Sequence, residues 1–201
     1  MFAAWLFGYA AVFHGQQWLR LRRVVRRRPD AAARYVCPAL VLGAACAALG
    51  TPLAVAHPWL VLAAAAAAPF LAVNTWYAWR GRERALANGL VAVVPACGML
   101  LVAAGLGGMP AASAWRPALA CLLYFAGTVP YVKTMIRERN SPAYRRGSVA
   151  CHAAAPAAAA CLSPWLAIPF AVYLARAAAL PDRALRPPVV GAIEIACSTP
   201  P

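Results

Sequence analysis

Charged residues are scarce in this sequence, and acidic residues are the scarcest of all. Its 201 residues include 19 Lys and Arg but only five Asp and Glu, so that 12% are charged, about half the share in a typical soluble domain. Disordered chains, coiled coils, collagen-like chains and disulfide-rich secreted domains are excluded as well, because 64% of the residues are hydrophobic and the mean hydropathy is +0.65. The composition therefore predicts an all-α, multi-pass transmembrane helical bundle.

The sequence also lacks the motifs that carry common enzyme chemistries. It contains no Gly-rich phosphate loop, no HExxH or GxSxG motif, and no Asp-rich DxxxD motif that would hold Mg²⁺ on a diphosphate. Its seven cysteines form no CxxC pair and stand at no metal-binding spacing with histidine. We therefore expect no metal and no cofactor, and we identify no catalytic residue. Whether the protein catalyses a reaction is left open.

Long apolar runs make up most of the chain. A helix needs about 20 residues to cross a bilayer core, and the shorter runs imply a locally thinned bilayer or burial against neighbouring helices. We predict a single transmembrane domain with about seven spans, at residues 2–19, 35–56, 59–79, 85–106, 117–136, 148–162 and 165–180. A further apolar segment, residues 189–201, is too short to span.

The positive charges are distributed unevenly among the loops between these spans. The odd-numbered loops and their flanks hold 18 of the 19 Lys and Arg, with Arg176 counted in the seventh, whereas the even-numbered loops hold only Arg116. Cytoplasmic loops of membrane proteins are enriched in Lys and Arg. We therefore predict a protein of the cell membrane (inner or plasma) with its basic loops in the cytoplasm and its N-terminus outside. The net charge of +14 is then a topology signal, and we expect no nucleic-acid partner.

Several polar residues surround the short charged turn at residues 80–84. A charged residue at the centre of a membrane helix costs about 2.5–3.5 kcal/mol on insertion scales, so intramembrane polar groups invite a functional interpretation. If the third helix continued through the turn, five residues at helical spacing would share one face: Asn74, Tyr77, Gly81, Arg84 and Asn88. The alternative is structural, with an interhelical hydrogen bond from Asn74 and with arginine and tryptophan anchors at the membrane interface.

Two loops on the same predicted side of the membrane carry an Arg-Glu-Arg triplet, namely Arg82-Glu83-Arg84 and Arg137-Glu138-Arg139. If each glutamate paired with the other triplet, two arginines would remain to bind an anionic headgroup, a phosphate or a diphosphate. Lys133, four residues before Arg137 and on the same helix face, would join them. The alternative is that these cations only snorkel to the interface, with Glu138 as a partner.

Ser148 and His152 are four residues apart at the start of the sixth predicted span. A histidine one turn inside the membrane can relay protons. The alternative is a histidine that is hydrogen-bonded and packed within the helical bundle. We include both residues among the candidate ligand-binding residues.

The candidate residues carry a resemblance to a known family. The resemblance rests on four groups: Asn74 and Tyr77 with Arg82-Glu83-Arg84 and Asn88; Tyr124 to Arg139, which contains the stretch YVKTMIRER; Ser148 with His152; and Gly191 with Glu194. Over most of residues 5–196 the chain resembles the YwiC-like family, bacterial multi-pass membrane proteins without an assigned activity. The opening Lys/Gln-His-Gly-Ala-Trp signature of that family is missing here, and the apolar tail after Val189 would be the start of a last helix. The resemblance therefore implies a chain truncated at both ends.

The YwiC-like family is in turn distantly similar to UbiA-type prenyltransferases, which bind isoprenoid diphosphates through Asp-rich motifs and Mg²⁺. Those aspartates are missing between Asn74 and Asn88. We therefore expect an integral membrane protein of unassigned activity that binds an anionic lipid or isoprenoid-like ligand at a basic cytoplasmic-side pocket, with membrane lipids as partners. Two alternatives stay open: a degenerate UbiA-like enzyme, and a small-solute transporter, which would have helices broken at mid-membrane, for instance at Pro95 and Pro130.

Overall fold

The computed structural model describes residues 1–24, 29–139, 141–183 and 187–198, and every regular element within these ranges is helical. The α-helices are α1 (Phe2–Val24), α2 (Pro29–Ala33), α3 (Val36–Ala56), α4 (Trp59–Trp79), α5 (Leu86–Leu106), α6 (Trp115–Ile136), α7 (Pro142–Leu162), α8 (Ala167–Ala179) and α9 (Pro187–Ser198). Short 3₁₀ segments lie at Ala111–Ala114, Pro164–Leu166 and Pro181–Arg183. The predicted all-α fold class is confirmed.

Each predicted span corresponds to a helix, and the bounds differ mainly at charged ends. Helix α1 continues to Val24 and therefore includes the first arginines after its apolar run. Helix α7 begins at Pro142 rather than at residue 148, because Ser141 Oγ accepts the Tyr144 N–H at 3.4 Å and proline suits the first helical turn. The apolar segment predicted at residues 189–201 forms most of α9, and residues 199–201 lie outside the described part of the chain.

Four of the described helical segments are long and apolar enough to cross a membrane: Asp30–Ala56, Trp59–Trp79, Leu86–Leu106 and Ala111–Ile136. Large apolar side chains stand exposed on them, for example Val55 at 75% and Leu62 at 73% of their full accessibility. Exposed apolar surface on this scale is typical of helices that face lipid. The protein is therefore a helical membrane protein, while the count of seven spans stays a prediction.

The chain divides into two compact units, unit 1 (Met1–Ala114) and unit 2 (Trp115–Pro201). In unit 1, α1 packs along α3, and α4 packs against both α1 and α5. Small residues permit the first contact, since a Cβ added at Gly8 would lie 3.0 Å from Cys46 Sγ. Close helix contacts through small residues are typical of membrane bundles. That the two units form the single domain predicted from the sequence stays a prediction.

In unit 2, α6 packs against α7, and α7 packs against α8. One buried cluster joins the ends of α6 and α8 to the start of α9 through Tyr131, Met135, Ala177 and Val190. A second cluster joins α7 and α8 through Ala155, Ala159 and Phe170. The polar segment after α6 and the segment after α8 therefore emerge at the same end of unit 2.

Prolines lie inside α3, α4, α5, α6 and α7. Each removes a backbone hydrogen bond, which membrane helices tolerate when neighbouring groups compensate. Both α5 and α6 continue through their prolines, Pro95 and Pro130. The broken helices that a transporter would need at these two positions are therefore not formed.

Helix α4 ends in a tight turn at Gly81. Gly81 has a positive φ of 64°, its N–H donates to the Ala78 carbonyl at 3.0 Å, and the Arg82 N–H donates to the Tyr77 carbonyl at 2.8 Å. This pair of bonds with a left-handed glycine is a Schellman motif, which terminates a helix. The condition for a shared face from Asn74 to Asn88, a third helix that continues through the turn, is therefore not met, because Asn88 belongs to α5.

Candidate functional site

Arg20 and Glu83 form an ion pair at one end of unit 1. The Nε of Arg20 lies 3.2 Å from Glu83 Oε1, and the two side chains are 33% and 22% exposed. Arg20 belongs to α1, whereas Glu83 belongs to the turn between α4 and α5. The first and third loops thus lie at the same end of unit 1, as the charge pattern predicts. Pairing of Glu83 with the second Arg-Glu-Arg triplet stays a prediction.

Asn88 holds the turn that carries the first triplet. It is buried, and its Nδ2 donates to the Glu83 carbonyl at 2.7 Å. Within the described residues, Asn88 Oδ1 and Glu83 Oε2 are buried and make no hydrogen bond. Arg82 and Arg84 are exposed on either side of Glu83. The turn therefore directs its carboxylate inward and its two arginines outward.

Three arginines at this end stack on tryptophan rings. The guanidinium carbon of Arg23 lies 4.3 Å from the Trp79 ring centre, that of Arg80 lies 4.8 Å from Trp76, and that of Arg22 lies 5.3 Å from Trp18. A cleft of about 240 Å³ is lined by Trp76, Trp79 and Arg80. Contacts of this kind combine the attraction of a cation to an aromatic ring with burial of the arginine stem. We call Arg20, Arg22, Arg23, Arg80, Arg82 and Arg84 the basic end of unit 1.

Asn74 and Tyr77 lie on α4, before the turn. The Nδ2 of Asn74 donates to the Phe70 carbonyl at 2.7 Å, within the same helix. Asn74 also lines a cavity bounded by α1, α4 and α5. Tyr77 is half-buried, and its ring meets that of Trp76 edge-on with 5.1 Å between centroids. Asn74 thus precedes the arginine turn in the helix and lines a cavity between α1, α4 and α5.

The second triplet follows α6 in unit 2. Arg139 donates from Nε and Nη2 to the Met135 carbonyl at 3.0 and 2.8 Å, and so caps the C-terminal end of the helix. Lys133 and Glu138 are half-buried, whereas Arg137 is exposed. One arginine of this triplet therefore stabilises the helix end, and Arg137 presents its charge outward.

His152 packs tightly against α6. Its Nδ1 lies 2.8 Å from the Ser148 carbonyl, and a carbonyl can only accept, so Nδ1 carries the proton and donates. On the other side of the ring, a Cβ added at Gly127 would lie 3.2 Å from Nε2. Ser148 is buried as well, and its hydroxyl makes no hydrogen bond within the described residues. His152 is thus bonded to the backbone carbonyl of Ser148, and its ring packs against Gly127.

Arg176 is a buried residue that the sequence analysis does not include among the candidates. The charge count assigns it to the flank of the seventh loop, and it lies in the last turn of α8, where it is only 5% exposed. Its guanidinium carbon lies 4.4 Å from the Tyr131 ring centre and 5.2 Å from that of Tyr173. Tyr131 also faces His152 edge-on, at 6.2 Å between centroids. The signal that could have found it is the spacing of Tyr173 and Arg176, three residues apart in an apolar helix.

The predicted ligand-binding residues therefore fall into separate groups. Within unit 1, the structure joins Arg82, Glu83, Arg84 and Asn88 in one turn and places Asn74 in a cavity. Within unit 2, it joins Ser148 with His152 beside Tyr131 and places the second triplet at the end of α6. Among the residues that the structure describes, no three His, Cys, Asp or Glu side chains group as metal ligands. A single anion site made from both triplets stays a prediction.

Comparison with known proteins identifies the family. Residues 1–104 match the family described as YwiC-like protein. An uncharacterized protein of Haemophilus influenzae is 33% identical over 136 residues, which make up 64% of this chain and 55% of that protein. The chain thus spans about half the length of the curated relative that it matches, and no solved structure matches it. Since the family match covers more than half of the 201 residues, the chain belongs to the YwiC-like family.

Proposed function

We propose that this membrane protein binds an anionic amphiphile, an anionic phospholipid or an isoprenoid-like phosphate, through its basic cytoplasmic side. The observation that carries the proposal is the basic end of unit 1, where the arginine-lined cleft beside Trp76 and Trp79 lies. The orientation, with the basic loops in the cytoplasm and the protein in the cell membrane, rests on the charge asymmetry between loops.

The charge balance at this end supports an anionic ligand. The described parts of residues 20–34 and 80–84 contain seven arginines, at positions 20, 22, 23, 34, 80, 82 and 84, against the two acids Asp30 and Glu83. Glu83 is engaged by Arg20. A juxtamembrane cation contributes about 1 kcal/mol to binding an anionic membrane surface. The surplus of five cations therefore favours phosphate-bearing headgroups.

The stacked tryptophans support a site at headgroup depth. Tryptophan side chains concentrate at the boundary between hydrocarbon and headgroups. The guanidinium carbons of Arg80 and Arg23 lie over the rings of Trp76 and Trp79, and a guanidinium has five N–H donors that suit bidentate contacts with phosphate oxygens. In unit 2, Lys133, Arg137 and Arg139 supply further cations at the end of α6. We propose that they bind the same class of headgroup.

The proposal is tested by thermal-shift titration of the purified chain in neutral detergent. Phosphatidylglycerol, phosphatidylcholine and farnesyl diphosphate are added separately to the wild type and to Arg80→Gln, Arg82→Gln and Arg137→Lys variants. We expect stabilisation by the two ligands with a net negative charge, phosphatidylglycerol and farnesyl diphosphate. Their apparent affinity should be about fivefold weaker in Arg80→Gln and Arg82→Gln, which corresponds to about 1 kcal/mol. Arg137→Lys tests bidentate binding, because lysine keeps the charge and loses the planar fork.

The matched control is Arg116→Gln, which removes the same charge from the predicted outer side of the membrane. It should titrate like the wild type. Equal shifts with phosphatidylcholine and phosphatidylglycerol, or equal losses in Arg116→Gln and Arg80→Gln, would contradict the proposal. The relative response to phosphatidylglycerol and farnesyl diphosphate distinguishes a phospholipid from an isoprenoid phosphate.

A further inference from the structure

Unit 1 contains a second kind of cavity, which no arginine lines. A space of about 270 Å³ lies between α1, α4 and α5 and is lined by residues that include Gln16, Asn74, Ala67 and Pro95. A larger space of about 460 Å³ runs between α4 and α5, and it is also lined by Ala67 and Pro95. Both spaces are lined by Ala67 and Pro95, so they lie next to each other along α4, and we call the two together the slot.

The larger space is apolar throughout, whereas the smaller one has a polar end. Trp59, Phe70 and Met99 are typical of the side chains around the larger space, and all thirteen of its lining residues are apolar or glycine. The smaller space adds the carboxamides of Gln16 and Asn74. No charged residue lines either space. The slot therefore suits a long apolar chain with one uncharged polar group.

The two amides retain hydrogen-bonding capacity. Asn74 donates one amide hydrogen to the Phe70 carbonyl. Both side chains are half-buried, and within the described residues neither Asn74 Oδ1 nor the Gln16 carboxamide makes a hydrogen bond. Unpaired amides in a membrane interior are costly. A bound hydroxyl would offset this cost, because it can donate to a carbonyl oxygen and accept from an amide N–H at the same time.

The lining of the smaller space argues against a charged headgroup between the amides. Gln16 lies four residues before Arg20 and Asn74 six residues before Arg80. At 1.5 Å per residue the amides are about 6–9 Å along their helices from these arginines. A charge between the amides, with no charged side chain among the lining residues, would carry a desolvation penalty that a hydroxyl avoids.

We propose that this slot binds a long-chain alcohol, with the hydroxyl between Gln16 and Asn74 and the chain along α4 and α5 toward Trp59. The helix from Asn74 to Trp59 spans about 22 Å, which is a length suited to a single extended chain. This site is independent of the anionic site proposed above, since it contains none of the arginines at the basic end of unit 1.

The test is photo-crosslinking of the full chain in neutral detergent with a diazirine-bearing hexadecanol. The matching diazirine-bearing hexadecanoic acid serves as the anionic counterpart. We expect the alcohol to label peptides of α4 and α5 at residues such as Leu62, Phe70 and Met99, and excess hexadecanol to compete. Asn74→Leu should reduce labelling by the alcohol at least fivefold, because it removes the polar partner and keeps a similar volume.

A matched pair of alanines tests whether the slot itself holds the probe. Ala67 lines both spaces, whereas Ala65, in the same alanine tract, is exposed and lines neither. Ala67→Phe should abolish labelling and Ala65→Phe should leave it unchanged. If Ala67→Phe does not fold, Gly98→Leu decides, because Gly98 lines the larger space and a Cβ there meets nothing within 4 Å.

Each remaining outcome overturns the proposal. Equal labelling of the Ala67→Phe and wild-type proteins would place the probe elsewhere. Stronger labelling by the acid than by the alcohol would assign the slot to an anion and would extend the anionic site to this depth. If Asn74→Leu left the labelling unchanged, the slot would be an apolar groove that does not recognise the hydroxyl group.

Discussion

At the residue scale, the contact between Gly127 and His152 explains why residue 127 of α6 is a glycine. A Cβ at Gly127 would lie 3.2 Å from His152 Nε2 and 3.3 Å from Cε1, which is closer than most Cβ contacts. The imidazole is held from its other side by the Ser148 carbonyl. It cannot retreat without lengthening that hydrogen bond, so glycine at 127 permits the buried histidine.

Replacement of this glycine should therefore destabilise unit 2. We expect Gly127→Val to lower the free energy of unfolding by about 1–3 kcal/mol, the usual cost of overpacking a close contact. Thermal unfolding in detergent measures the change. In a double-mutant cycle, adding His152→Ala should recover most of the loss, since the clash partner is then gone.

Gly147 provides the control for helix propensity and for bulk. It lies on α7, it is exposed, and a Cβ there meets nothing within 4 Å. Gly147→Val should change stability by less than about 0.5 kcal/mol. A Gly127→Val protein as stable as Gly147→Val, or one that His152→Ala fails to rescue, would show that the histidine ring has room to move.

At the element scale, the packing of α4 on α5 depends on where glycine occurs along α5. A Cβ at Gly105 would lie 2.9 Å from Cη2 of Trp59, whereas one at Gly98 would meet nothing within 4 Å. The two glycines are seven residues apart, so both lie on nearly the same face of the helix. One glycine therefore sets the distance between the helices, and the other borders the slot described above.

Valine should disturb helix packing at Gly105 but not at Gly98. Gly105→Val should destabilise unit 1 by about 1–3 kcal/mol, because the Trp59 indole must move. Gly98→Val should be close to neutral for thermal stability. Unfolding of both variants in the same detergent gives the comparison. If the two variants melted at the same temperature, the Trp59–Gly105 contact would not set the helix spacing.

At the scale of the whole molecule, the unequal distribution of charge predicts how the protein sits in the membrane. The Arg20–Glu83 pair and the stacking of Arg23 on Trp79 place the first and third loops at one end of unit 1. The loop at residues 107–114 follows the opposite end of α5. If α5 crosses the membrane, the turn at residues 80–84 and this loop lie on opposite sides.

Cysteine accessibility in intact cells tests this orientation. In a background without native cysteines, Arg82→Cys should resist a membrane-impermeant maleimide, whereas Ala112→Cys should react. Arg82 is preferable to Gly81 for the substitution, because the positive φ of Gly81 disfavours a side chain. Permeabilised cells, in which both positions should react, provide the control. Labelling of both cysteines in intact cells would contradict the predicted topology.

The sequence alone was sufficient for the fold class and for most helix bounds. Its apolar runs predicted α4 to the residue and α3 and α5 to within one residue, because membrane helices are specified by local composition and length. It missed the start of α7, which depends on the cap from Ser141. The shared face across residues 80–84 depended on a helix that continues through the turn, and Gly81 is instead a signal for a helix end.

Most of the candidate site could be predicted as residue types but not as contacts. Composition and spacing by themselves identified a helical membrane protein, its basic loops, and the polar residues Asn74, Asn88 and His152. The tertiary structure decided that Glu83 pairs with Arg20, that Arg176 is buried against Tyr131, and that Asn74 shares a cavity with Gln16. The reason is physical: hydrophobicity and helix ends are set by neighbouring residues, whereas these pairs join different helices and depend on how the helices pack.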